Sequence, residues 1–183
     1  ERVESKNFRE FYKGRSLFDL LIKKLLDANE IDDIYISNTY MLRREAPFRI
    51  ACQKGYLKIA KWLLEVKPDI NISVSNEYAF REVCENGQLE IAKWLLEIKP
   101  TINISAKNEY AFRYACLYGH LEVVKWLLEI KPTIDISIDN EYAFINACGK
   151  GHLKIAQFLL EKNPDIYISF MDEYAFGLSC EYG

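Results

Sequence analysis

The 183-residue chain has only two histidines, two methionines, five prolines and eight glycines, and no apolar run near the ~18–20 residues that cross a bilayer. Residues 1–20 carry acids where a secretory signal places an apolar core, so the sequence reads as neither membrane-spanning nor exported. There is no run of five like charges, and 24 Lys and Arg against 27 Asp and Glu leave a formal charge of −3. That balance argues against a general binder of nucleic acid or other polyanions. HExxH, GxSxG and CxxC are missing, and Gly149-Lys150-Gly151 lacks the rest of a phosphate-binding loop. Catalysis therefore has no candidate centre, and no cofactor, metal or small-molecule substrate is called for. What is present is a chain with 50% apolar and 14% aromatic residues, which excludes disorder and collagen-like structure. It opens on Glu1, so flanking sequence has to be allowed for.

The chain is built on a repeat. Glu-Tyr-Ala-Phe occurs at 77–80, 109–112, 141–144 and 173–176, a spacing of 32 residues each time. The same offset links Cys52, Cys84, Cys116, Cys148 and Cys180, then Trp62, Trp94, Trp126 and Phe158, and the prolines Pro68, Pro100, Pro132 and Pro164. Residues 76–107 and 108–139 agree at 22 of 32 positions. Complete units are expected at 44–75, 76–107, 108–139 and 140–171, with a partial unit at 172–183. A divergent N-terminal capping repeat is expected within 1–43, where Asp33-Ile-Tyr-Ile-Ser37 duplicates Asp165-Ile-Tyr-Ile-Ser169.

In unit 108–139, Tyr110–Tyr118 is about two helical turns, closed by Gly119, which tolerates the left-handed conformation of a helix C-terminus. Leu121, Val124, Leu127 and Leu128 recur at helical spacing opposite Glu122, Lys125 and Glu129, predicting a second helix. Pro132 stops it near Ile130–Lys131. Ile134-Asp-Ile-Ser-Ile138 alternates as a short extended segment does. Helix pairs this short cannot bury their apolar faces alone, so units must stack into a solenoid with one elongated core.

These residues resemble the ankyrin repeat. Gly119-His-Leu-Glu-Val-Val-Lys-Trp-Leu-Leu128 fits the second half of its pattern, and Ala46-Pro-Phe-Arg49 keeps the proline of the first half. Elsewhere the family's Thr-Pro is replaced by Tyr78-Ala79, Tyr110-Ala111 and Tyr142-Ala143, and its His by Arg49, Arg81, Arg113 or Ile145. The family's Thr–His hydrogen-bond network must therefore be replaced by other contacts. The resemblance implies an all-α ankyrin-repeat solenoid with short extended loops or hairpins, and a non-catalytic module for protein–protein interaction. The Asn-Glu-Tyr-Ala-Phe variant is further similar to the expanded ankyrin families of amoeba-infecting giant viruses, which implies a viral protein in the host cytoplasm, engaging host machinery.

The five cysteines fall on one face of successive first helices, about 10 Å apart if neighbouring helices pack in contact, too far for disulfides or a shared metal. They are expected to be small buried core residues, and an odd count without a signal sequence points to a reducing, intracellular compartment. His120 and His152 recur at the start of the second helix, where other units have Tyr56 and Gln88, so they are expected to bond the turn between helices. Tyr78, Tyr110, Tyr142 and Tyr174 are expected to pack at the start of the first helix, and Trp62, Trp94 and Trp126 to be core. Asn71 and Asn103 match the hairpin asparagine that asparaginyl hydroxylases modify in some ankyrin proteins, making them candidates for hydroxylation.

A binding face is sought where the units disagree with one another. The loop tips read Val74-Ser75, Ala106-Lys107, Ile138-Asp139 and Phe170-Met171. The exposed ends of the first helices read Gln53-Lys54, Glu85-Asn86, Leu117-Tyr118 and Gly149-Lys150. These are the expected contacts for a protein partner on the concave face, with Leu117, Tyr118, Ile138, Phe170 and Met171 as apolar or aromatic anchors. Two other functions fit the same sequence: a virion or scaffolding component, or the substrate-recruiting part of a protein whose enzyme or ubiquitin-ligase adaptor domain lies outside residues 1–183. Because Gly183 aligns with Gly119, either further repeats are expected to follow or the last unit is expected to fray or self-associate.

Overall fold

The computed structural model describes residues 46–166. It holds four helix pairs in chain order: α1 Ala46–Gln53 with α2 Leu57–Val66, α3 Val74–Glu85 with α4 Leu89–Ile98, α5 Ala106–Leu117 with α6 Leu121–Ile130, and α7 Ile138–Gly149 with α8 Leu153–Lys162. The N-terminal capping repeat, the terminal partial unit, Cys180 and Tyr174, and the loop-tip residues Phe170 and Met171 lie outside the described residues.

Each first helix ends as the glycine pattern predicts. After α5, Gly119 takes φ +83°, and the His120 amide reaches back to the Ala115 carbonyl at 2.9 Å. This closes the helix C-terminus with a left-handed residue. The glycine has a second duty. A Cβ at Gly119 would stand 2.6 Å from Cε1 of His152, and one at Gly87 2.5 Å from Nδ1 of His120. Those imidazoles belong to the following unit: His152 Nε2 lies 3.0 Å from the Leu117 carbonyl oxygen, and His120 bonds the Glu85 carbonyl. Both histidines are structural, as expected, but they bridge two units where a bond within one turn was anticipated.

The core is a repeating stripe. Phe48, Phe80 and Phe112, then Leu63, Leu95, Leu127 and Leu159, are almost wholly buried, and Ile70, Ile102, Ile134 and Ile166 plug it from the loops. Trp94 packs on Phe48 of the preceding unit with ring centroids 6.2 Å apart, and Trp126 on Phe80 at 6.3 Å. The tryptophans are half-buried, so they seal the seam between units at the margin of the core. Cys52, Cys84 and Cys116 are completely buried free thiols and Cys148 is partly covered; burial pushes all four thiol pKa values up. They stay protonated and behave as small apolar residues. The alanines and cysteines at these positions let first helices pack directly against each other, while successive second helices approach less closely. The stack therefore curves toward the first-helix row.

The loops depart from expectation. Turns at Pro132-Thr133 and Ile136-Ser137 flank Ile134-Asp135, with no strand, and Ile138 already begins α7. The alternation that suggested an extended segment arises because Ile134 turns inward as a plug while Asp135 accepts the Ser137 amide at 3.0 Å. With hairpins replaced by turns, the four-unit body is all-helical among the described residues.

Candidate functional site

The first-helix row presents the exposed face of the inner curve. Each of α3, α5 and α7 opens with a short left-handed turn: Ser75–Glu77, Lys107–Glu109 and Asp139–Glu141 all have φ between 53° and 60°. Three consecutive non-glycine residues there cost roughly 1–2 kcal/mol each, least for the central Asn76, Asn108 and Asn140. The residues that replace the family's Thr–His network offset that strain. Arg81 Nε donates to the Asn76 carbonyl at 2.8 Å and its Nη2 to the Ser75 carbonyl at 3.2 Å. Arg113 does the same to Asn108 at 2.7 Å and Lys107 at 3.4 Å. The unit with Ile145 has no such guanidinium, and there Arg113 of the preceding unit reaches across to Asp139 at 2.7 Å.

The far side of the turn is also tied down. Ser105 Oγ bonds both the Glu109 carboxylate and the Lys131 ammonium, and Asn163 Nδ2 donates to Ser137 Oγ at 3.0 Å. Lys131 after α6 and Asn163 after α8 thus tie back to the serine that precedes the first helix of the same pair. Asn71 and Asn103 are exposed at the preceding turns, each accepting a serine amide at 3.1 Å through Oδ1.

Tyrosines and arginines interleave along the starts of the first helices. The Arg49 guanidinium sits 3.8 Å from the centroid of the Tyr78 ring, Arg81 4.6 Å from Tyr110, and Arg113 4.9 Å from Tyr142. Instead of simple packing at the helix start, these tyrosines form a ladder whose rungs are the chain's own cations. The guanidiniums are already committed to ring faces and carbonyls, so the ladder makes a poor platform for stacked bases.

One turn further along, the units diverge. Four residues after the ladder position stand Ile50, Glu82, Tyr114 and Asn146; after seven, Gln53, Glu85, Leu117 and Gly149; after eight, Lys54, Asn86, Tyr118 and Lys150. Helical spacing puts these on one face. The row at 50, 82, 114 and 146 escaped the sequence reading, though the same test of disagreement between units picks it out. Gln53 Nε2 donates to Glu82 at 3.0 Å, the Tyr78 hydroxyl bonds Glu82, and the Tyr110 hydroxyl donates to Glu85 at 2.7 Å. Tyr114 stacks flat on Tyr110 at 3.9 Å, and Tyr118, half exposed at 50%, follows 6.3 Å from Tyr114. Burial, then the like charge of Glu85, push the Glu82 carboxyl pKa up; Arg81 and Arg49 pull it down without outweighing them. Tyr110 and Tyr142 are also raised, first by burial.

Of the expected contacts, Gln53, Lys54, Glu85, Asn86, Leu117, Tyr118 and Lys150 share this face. The loop-tip set fares differently. Ala106 is 6% exposed, because it begins α5 and tucks beneath the turn; it is not available to a partner. Val74 and Ile138 are half-buried for the same reason. Ser75, Lys107 and Asp139 are exposed in the left-handed turns, with Asp139 ion-paired to Arg113. Among the described residues no group of His, Cys, Asp and Glu could hold a metal, and no helix is long and apolar enough to cross a membrane.

Stacked helix pairs with inter-unit histidine bonds and a curved first-helix face define a solenoid repeat protein. The sequence matches the family described as ankyrin repeats (3 copies) over residues 12–108 and 80–170, and the chain belongs to the ankyrin-repeat family. A crystal structure of an ankyrin repeat family protein from Legionella pneumophila is similar at 35% identity and a TM-score of 0.59, over 65% of this chain and 37% of that one. The human ASB11 ankyrin repeat domain shares the fold at 22% identity and a TM-score of 0.55, over 74% of this chain and 63% of that one. The chain thus spans less than two thirds of either structure's length. No curated protein matches the sequence.

Proposed function

We propose that this chain is a protein-binding module that acts without chemistry of its own and engages its partner through the exposed face of α1, α3, α5 and α7. One observation carries the reading. Units that agree closely in their apolar core differ at three positions along one side of the first helices, half-buried or buried at the first two and exposed in every unit at the last, Lys54, Asn86, Tyr118 and Lys150. Repeats of this family are general modules for protein–protein interaction, which supports the same conclusion. The bound partner meets glutamates from α3 and tyrosines from α5, with Ser75 and Lys107 at the upper rim. The buried thiols and the carbonyl-bonded histidines fit a role in binding better than one in catalysis.

The finer reading rests on the sequence variant: a viral protein whose partner belongs to the host cell. Pulldown from host cells with the wild-type chain, with Leu117→Lys and Tyr118→Lys combined, and with Lys93→Glu and Lys125→Glu combined on the outer row tests both levels. A partner lost only from the first variant supports the face. Equal recovery by all three chains contradicts it.

A further inference from the structure

The chain supplies its own answer to what its tyrosine face recognises. Along the starts of the first helices, every described ladder tyrosine lies beneath a guanidinium, at 3.8, 4.6 and 4.9 Å. One turn further on, rings continue and two carboxylates join them, while the cations thin out: Arg113 lies 5.9 Å from the Tyr114 ring, and the Tyr118 ring has no cation over it among the described residues. Glu82 and Glu85 hang from α3, and neither makes an ion pair among the described residues. Both are instead oriented by neutral donors from the units on either side and from their own helix: Gln53 and Tyr78 for Glu82, Tyr110 for Glu85.

Fixing two neighbouring carboxylates with neutral donors leaves their charge only partly compensated: Arg81 and Arg49 favour the Glu82 carboxylate without forming an ion pair with it. Glu82 is only 8% exposed, so that charge is partly removed from water and stands beside a second one, an arrangement that costs stability. Departures of this kind from local self-consistency concentrate where a ligand completes the site. Beside them, Tyr110 and Tyr114 stack, and Tyr118 offers a half-exposed ring at the end of α5. Tyrosine rings are a favoured seat for a guanidinium or ammonium group, and carboxylates bind one by charge-assisted hydrogen bonds. Exposed Lys54 and Lys150 bound the acidic stretch to the two central units, which sets its length at one or two cationic side chains.

We propose that Glu82, Glu85, Tyr114 and Tyr118 form a subsite for an arginine or lysine side chain presented by a short basic segment of the partner protein. The bound cation adds a rung beside Tyr118, beyond the Arg81–Tyr110 rung that already joins α3 and α5. This rests on the reading of the first-helix face as the binding face and specifies what that face accepts.

The probe is the synthetic peptide (Gly-Ser-Arg)3, titrated into isotope-labelled chain at low salt and followed by amide NMR, with the uncharged citrulline peptide as control. Shifts at Glu82, Glu85, Tyr114 and Tyr118 with the arginine peptide only, weakened on the order of tenfold in Glu82→Gln with Glu85→Gln, are the expected result. The double variant must otherwise keep the wild-type spectrum; if it does not, Tyr118→Leu serves as the second test, with the same weakening expected. Equal shifts from the citrulline peptide, no shifts at all, or shifts confined to Glu90, Glu97, Glu122 and Glu129 of the outer row overturn the proposal. The pulldown separates the two levels. A partner lost with Leu117→Lys and Tyr118→Lys but retained by the double glutamine variant leaves the binding face standing and removes the cation subsite.

Discussion

The outer and inner helix rows share one core and use their solvent faces in opposite ways. In the outer row, Leu-Glu-Ile-Ala-Lys-Trp-Leu-Leu-Glu-Ile of α4 reappears in α6 with two changes, both at buried positions and both from one aliphatic residue to another. In the inner row, α3 and α5 keep Tyr-Ala-Phe-Arg and then part company: Glu82 against Tyr114, Glu85 against Leu117, Asn86 against Tyr118. Buried residues in both rows obey the same packing rule, so stability does not account for the contrast. The outer face repeats a charged surface that water tolerates anywhere, whereas the inner face sets a different side chain on each unit.

That comparison can be broken or sharpened by substitution. The largest effect is expected inside the shared core: Leu127→Ala, from a wholly buried position, should lower unfolding free energy by about 2–5 kcal/mol in urea melts. It should also diminish partner capture, because the inner face depends on the stack.

Next come the glycines between the rows. Gly119→Ala must hold an L-residue at φ +83° and displace His152, whereas Gly151→Ala carries the backbone strain at φ +73° with nothing among the described residues within 4 Å of its Cβ. Gly151→Ala should cost about 1–2 kcal/mol and Gly119→Ala measurably more, the difference reporting the inter-unit histidine contact. Equal costs would show that the contact contributes nothing.

A smaller effect is expected from pH. Burial, the largest cause, holds the His120 pKa below its ordinary value of 6.5. The unfolded chain therefore takes up the proton first, and the stability His120 contributes is complete above about 6.5 and declines as pH falls from there toward the folded pKa. His120→Gln, which places the residue of the preceding unit there, should flatten that part of the curve in melts at pH 7.5 and 5.5. Glu82→Gln works with the opposite sign. The folded pKa is raised above 4.5, so the wild type carries its penalty at neutral pH and sheds it as pH falls through the folded value toward 4.5. The variant should be as stable as the wild type or slightly more so at pH 7, and lose that advantage in acid.

The smallest effect belongs to the outer surface. Lys93→Ala removes an exposed pair with Glu90 at 3.7 Å and should change stability by less than about 0.5 kcal/mol, with partner capture unaltered.

The helix pairs and their core were legible in the sequence because glycine, proline and the leucine periodicity each constrain the backbone locally. The buried cysteines followed from a single distance argument. The left-handed turns were not legible. Asn76 at a positive φ is ordinary, but Ser75 and Glu77 are not, and the turn is held by Arg81 from the next turn of helix through the Ser75 and Asn76 carbonyls, a contact that no local pattern announces. Ala106 was misplaced on a loop tip because the alternation around Ile104 reads as extended chain, when a buried plug and an asparagine-capped turn produce the same pattern. The histidines were assigned the right kind of role and the wrong partner, since the carbonyl that each one meets lies 35 residues earlier. Of the candidate site, the ends of the first helices were visible, while Glu82 and Tyr114 needed the structure to show which side of the helix they share with Tyr118.

The central claim is that the partner docks on the inner row. A photo-crosslinking residue placed at Tyr118, and in a separate chain at Lys125 on α6, tests it most directly, both chains first shown to melt as the wild type does. The account predicts a partner adduct from position 118 and none from position 125. Adducts from position 125 alone would place the interface on the outer row and contradict the account.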